Sequence, residues 1–175
     1  QTLDGRAART LGQQAGWNGD FAHMRDTLLV LGIAQAAAAA RARLDTVEAR
    51  RDTVLGCGTA AAEPGCAVTV RWLYQVARAN PPEQVFAQIL MGFLLAEADP
   101  RVVGFNLVQP EDNPVAMRDY SMQMRMIGFL RADHPGVGIA LHAGELAPGL
   151  VPPEGLRFHV REAVEVAGAS RIGHG

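Results

Sequence analysis

Two histidines and several carboxylates stand where apolar segments of this 175-residue chain run out. The segment Ile139-Ala140-Leu141 ends in His142-Ala143-Gly144-Glu145, and Arg171-Ile172-Gly173 ends in His174-Gly175. A third segment, residues 102–107, runs into Gln109-Pro110-Glu111-Asp112. A neutral imidazole can ligate a divalent metal, and a carboxylate three residues further on can swing over the same site to shuttle protons. A second histidine can then orient an attacking water. Gly144, Gly173 and Gly175 lie beside these groups and let a substrate come close to the backbone. A lone strand-end histidine is more often a satisfied one; the joint pattern is what points to chemistry.

Composition removes several competing chemistries. All 16 basic residues are arginine, so an amine for Schiff-base catalysis and the lysine of a phosphate-binding G-x-x-x-x-G-K loop are both absent. Serine occurs only at Ser121 and Ser170, neither within G-x-S-x-G. The net charge of −2 argues against a nucleic-acid partner and gives no strong pull towards phosphates. The longest apolar segment, residues 28–40, falls short of the ~20 residues that span a bilayer, so no membrane partner is expected. The first residue is Gln1 rather than methionine, and no signal-peptide pattern opens the chain, so the start reads as other than a native one. Cys57 and Cys66 flank a short loop, with disulfide and reduced thiols equally open. Two cysteines are too few to fix the compartment, with a secreted or periplasmic one favoured over the cytoplasm.

The elements that must position the candidates are strands alternating with helices. Residues 1–20 carry four glycines without apolar periodicity and read as loop; residues 21–55 read as one long helix or two. These, with the loop to residue 66, make a helical and loop region. Residues 67–175 read as strand–helix repeats, with strands at 67–74, 101–107, 137–142 and 170–174 and helices opening at Pro82, Pro114 and Glu154. Short strands apolar on both faces and separated by helices predict a parallel sheet in an α/β fold, doubly wound or closed into a barrel. Ligand sites in such folds form at the carboxyl ends of the strands, where the candidates stand.

HAGE at 142–145, RIGHG at 171–175 and VVGFNLVQPED at 102–112, in this order, resemble the adenosine deaminase family, and within it the growth-factor-like branch. The resemblance covers roughly residues 68–175. It implies a (β/α)8 TIM barrel, one zinc ion (Zn2+), and hydrolysis of the 6-amino group of adenosine or a related purine nucleoside to give inosine and ammonia. By the same resemblance His142 is a zinc ligand, and Glu145 is the catalytic proton donor to the purine ring. His174 orients or deprotonates the water, while Gln109 and Gly144 contact the substrate. The residue types suit that chemistry, because zinc lowers the pKa of water towards 7 and a protonated carboxyl makes the attacked carbon more electrophilic.

The chain departs from the family pattern at Asn106, where aspartate is common, and at Gln109, where glycine is; both mark a shifted substrate as an alternative. A second alternative is a growth-factor-like binding module without activity. No H-x-H is present, so the remaining zinc ligands are expected outside this chain. The expectation is therefore a single-domain fragment of roughly strands three to six, inactive alone and completed by further barrel segments of one parent chain. A zinc site made of His142, Glu145 and His174 alone is disfavoured, because ligands on separate strand ends need the curvature that additional strands provide. His134 and His159, the methionines of residues 117–126, and Trp72 and Tyr74 are expected to pack rather than react.

Overall fold

A computed structural model describes residues 5–174. It is a mixed α/β structure with short parallel strands and, among the described residues, no closed barrel. Three helices come first: α1 (Arg6–Ala15), α2 (Phe21–Leu31) and α3 (Ile33–Val54). They are followed by β1 (Trp72–Ala77), α4 (Pro82–Ala98), β2 (Val102–Val108), α5 (Pro114–Asp133) and β3 (Ala140–His142), and then by α6 (His159–Glu165) and β4 (Arg171–Gly173). Among the described residues no single helix is long and apolar enough to cross a membrane; α2 and α3 pass only as a pair bent by 62°.

Local sequence explains the helix ends. The Asp20 side chain accepts from the His23 N–H and caps α2, and Asn113 Oδ1 accepts from the Val115 and Ala116 N–H groups ahead of Pro114 in α5. Gly32, in the left-handed region at φ 97°, ends α2 and starts α3, so residues 21–55 form two helices rather than one. α4 is buried on nearly every side because it packs between the strands and the α1–α3 layer. Its sequence is accordingly apolar all round rather than striped.

β1 and β2 are parallel from Trp72↔Val102 to Ala77↔Val108, and β3 and β4 are parallel from Ala140↔Arg171 to His142↔Gly173. A single parallel bridge, Phe105↔Ile139, joins the two pairs, giving the order β1-β2-β3-β4. All four strands therefore end on one side, and the loops that follow them share one rim.

Several boundaries differ from the sequence expectation. Residues 6–15 are helix and not loop: Ala8 and Gly12, one turn apart and both buried, let α1 lie close against α4, and that packing outweighs the low helix propensity of glycine. The first strand lies at Trp72–Ala77 rather than 67–74, because register with β2 decides it; Pro64–Ala67 is a 3-10 turn, and Val68, although β-branched, is left exposed. The last helix is split into a 3-10 turn, Pro153–Leu156, and α6. The third strand is shortened to Ala140–His142 and the fourth to Arg171–Gly173. Cys57 and Cys66 form a disulfide that closes the loop after α3. Tyr74 is buried and Trp72 packs against the core, as do Met122, Met124 and Met126.

The turn from α4 into β2 is tied to α3 by charge. Arg101 donates to Asp99, to Glu48 at 2.7 Å and to Asp45 at 2.6 Å, and Asp99 itself is 1% exposed. The hydrogen-bonded Arg101 guanidinium holds the Asp99 carboxyl below the usual aspartate range, against the opposing effect of burial. A depressed carboxylate contributes stability above the ordinary value of ~3.9 and loses it as pH falls through the lower folded-state value. Asp99→Asn is therefore expected to cost about 1–3 kcal/mol at pH 7 and to flatten the loss of stability on acidification, which denaturant midpoints at neutral and acid pH will show.

Candidate active site at the strand ends

His142 is the last residue of β3, and two side chains place it. Asn106, in β2, accepts the His142 backbone N–H at 2.8 Å. Arg78, directly after β1 and fully buried, donates to the Val108 carbonyl at 3.4 Å and to the His142 carbonyl at 3.2 Å. One guanidinium thus ties the ends of three neighbouring strands. Asn106, a departure from the family pattern, has a structural role here as the acceptor that holds His142.

The HAGE turn then folds back over the strand end. Glu145 Oε2 lies 2.9 Å from His142 Nε2, and Glu145 Oε1 lies 4.0 Å from His174 Nδ1. The His142 and His174 rings are 4.7 Å apart between centroids. Ligand atoms of His142, Glu145 and His174 all fall within 4.8 Å of one another. These three converge without further strands, contrary to the expectation that added curvature is needed, because Glu145 is delivered by the turn after β3 and His174 by the adjacent β4.

His142 Nε2 is buried and makes no hydrogen bond, even though the Glu145 carboxylate is within ion-pair distance, so contact exists without hydrogen-bonding alignment. Burial first, and the nearby Arg78 cation second, push the His142 pKa below its ordinary value. The ring is therefore held neutral with a lone pair to offer, the form in which imidazole ligates a metal. Such a nitrogen fits one ligand position of a zinc ion, which takes nitrogen and carboxylate oxygen, and leaves Glu145 and His174 beside it to move protons.

Glu111 lies beneath this cluster with its side chain fully buried. Its carboxylate accepts the Gly144 N–H at 3.1 Å and the Glu145 N–H at 3.0 Å, and it meets His159 Nδ1 at 2.6 Å. Burial would raise the Glu111 pKa, but the His159 and Gly144 hydrogen bonds with the Arg78 charge hold it below the usual range. Gln109 is turned to φ 80° and its Oε1 accepts the Ala79 N–H at 2.8 Å. Among the described residues, Gln109 and His174 are the two non-glycine positions of positive φ, and both follow strands at this rim. Such outliers gather at functional sites. A cleft of about 510 Å3 opens between Gln109, Pro110, Glu111, His142, Glu145 and Leu150. Leu150 comes from the proline-stiffened loop after the HAGE turn.

Every candidate named from sequence within the described residues stands at this rim: His142, Glu145 and His174 together, Gln109 across the cleft, and Gly144 in the turn with its N–H taken by Glu111. Gly175 lies outside the described residues. Arg78 was not singled out from the sequence; His159, expected to pack, does so on Tyr120, and its contact with Glu111 was not foreseen. Arg78 would have followed from the rule that polar residues end apolar strands had the first strand been placed at its true end. His159 shows no local signal, since only folding brings α6 onto Glu111. His134 is not at the rim: it ends α5, and its Nδ1 lies 2.9 Å from Glu97.

The family model for adenosine deaminase matches residues 36–175 of the chain. Neither the curated proteins nor the solved structures include a match.

Proposed function

The chain belongs to the adenosine deaminase family, and on that premise we propose that it carries part of the site of a zinc-dependent aminohydrolase that converts adenosine, or a related purine nucleoside, to inosine and ammonia. The observation that carries this reading is the convergence of His142, Glu145 and His174 within 4.8 Å at the strand ends. The buried, unbonded Nε2 of His142 points the same way. His142 would hold the zinc, with the remaining ligands supplied from outside these residues. When bound, zinc supplies a Lewis acid that brings the pKa of water towards 7.

The protein groups divide the remaining work. Glu145, hinged on a backbone N–H that Glu111 holds, gives a proton to the purine ring nitrogen and so makes the adjacent carbon electron-poor. His174, in its left-handed turn, orients the water that attacks that carbon and takes its proton. Water adds at the carbon, the amino group leaves as ammonia, and the product keeps the water's oxygen. Gln109 walls the cleft that receives the nucleoside, and Gly144 stands in the turn beside it, between His142 and Glu145. The order of the strand end at 102–112, HAGE and RIGHG is what supports the growth-factor-like branch, with Asn106 and Gln109 departing from its pattern. The disulfide supports an oxidising compartment, outside the cytoplasm.

The test is ammonia release from adenosine by the full-length protein, with and without a zinc chelator. Release abolished by the chelator and restored by zinc supports the proposal. A folded, zinc-loaded protein that releases no ammonia from adenosine but does so from another purine would replace the substrate. A protein that holds no zinc would leave the inactive binding module standing.

A further inference from the structure

His159 is the buried partner of Glu111, and the proposed chemistry leaves it without a role. His159 is 2% exposed, and its ring lies flat on Tyr120, with centroids 3.7 Å apart and planes 10° from parallel. The Tyr120 hydroxyl donates to the His159 carbonyl at 2.8 Å, so α5 grips both the ring and the backbone at the start of α6. An ionisable pair this deep costs free energy unless its geometry repays it, and here the contact is 2.6 Å, in the range of charge-assisted hydrogen bonds.

The pair faces the catalytic turn. Two of the three hydrogen-bond partners of the Glu111 carboxylate are the consecutive N–H groups of Gly144 and Glu145, and His142 Nε2 lies 3.8 Å from it. Gly144 is at φ 99°, where the chain reverses to send Glu145 back towards His142. With two backbone donors on its oxygens, the carboxylate acts as acceptor, which assigns the proton of the short contact to His159 Nδ1. We propose that Glu111 and His159 form a positioning pair: His159, fixed on Tyr120, sets the orientation of the Glu111 carboxylate, which clamps the Gly144–Glu145 turn and so places the Glu145 carboxyl over His142. This rests on the deaminase reading for its consequence in turnover, but not for the clamp itself.

Mis-set proton donors lose rate more than binding, because small displacements of a reacting group act in the transition state. His159→Phe keeps a ring on Tyr120 and removes the donor. In the full-length protein it is expected to speed hydrogen exchange at the Gly144 and Glu145 amides by about tenfold and to lower kcat on adenosine by about tenfold or more, with KM changed by less than about twofold. His159→Asn, whose amide nitrogen can stand where Nδ1 does, is expected to restore both to within about threefold. Unchanged exchange at the two amides in a folded His159→Phe protein overturns the proposal, as does a kcat loss shared equally by Phe and Asn. Should the Phe variant fail to fold, Asn is compared with His159→Gln, which carries its donor one bond further out; equal exchange in these two also overturns it. If the parent protein releases no ammonia, the exchange rates still decide the clamp, so failure of the deaminase reading and failure of the pair remain distinct.

Discussion

Glu145→Gln is expected to lower ammonia release from adenosine by about 10²–10⁴-fold while zinc content stays unchanged, the range by which a positioned general acid accelerates a reaction. Glutamine has the same reach and keeps the backbone N–H that Glu111 holds at 3.0 Å, so the turn stays in place and only the transferable proton is lost. The Glu145 side chain is 58% exposed, so stability should move by no more than about 0.5 kcal/mol. Metal analysis of the purified variant separates this role from ligation. Loss of zinc would make Glu145 a ligand, and normal turnover with zinc retained would remove it from the chemistry.

Gly104→Ala is expected to be among the most damaging changes to the fold, at about 3 kcal/mol or more. Gly104 lies in β2 at φ 149°, a conformation that side chains rarely adopt, and an added Cβ would fall inside the shell of the Gly138 carbonyl oxygen. Both effects are paid by backbone that cannot step aside, since Gly138 leads directly into β3. Relief would push β3 from β2 and stretch the Asn106 to His142 hydrogen bond, so zinc affinity should fall with stability. Gly136→Ala, only two residues from Gly138 and with nothing within 4 Å of the new methyl, is the control and should stay within about 0.5 kcal/mol. Denaturant midpoints and zinc titration of the two variants will check both statements.

The alternation of strand and helix after residue 67 was legible because each element has its own periodicity and the prolines mark helix starts. The catalytic candidates were legible for a related reason: His142 and His174 each end a short apolar run, and Glu145 follows His142 within one turn of chain. Strand limits were harder to read. Val68 looks like strand and is exposed, whereas Val76 and Ala77 are strand because β2 pairs with them. The first helix was hidden by Gly12, whose value lies in close approach to α4 rather than in propensity.

By itself the sequence determined the kinds of chemistry open to this protein: imidazoles and a carboxylate at strand ends, no lysine, no nucleophilic serine motif, and the three family motifs in order. Those are properties of residue type and near-neighbour spacing, and they survive in any conformation. The tertiary structure alone decided which groups surround them. Arg78 reaches His142 across 64 positions of chain and His159 reaches Glu111 across 48, separations over which no local periodicity carries information. Such contacts exist only because the strands run parallel and end on one rim, where α5 and α6 press a tyrosine, a histidine and a glutamate into a single buried stack beneath the turn that carries Glu145.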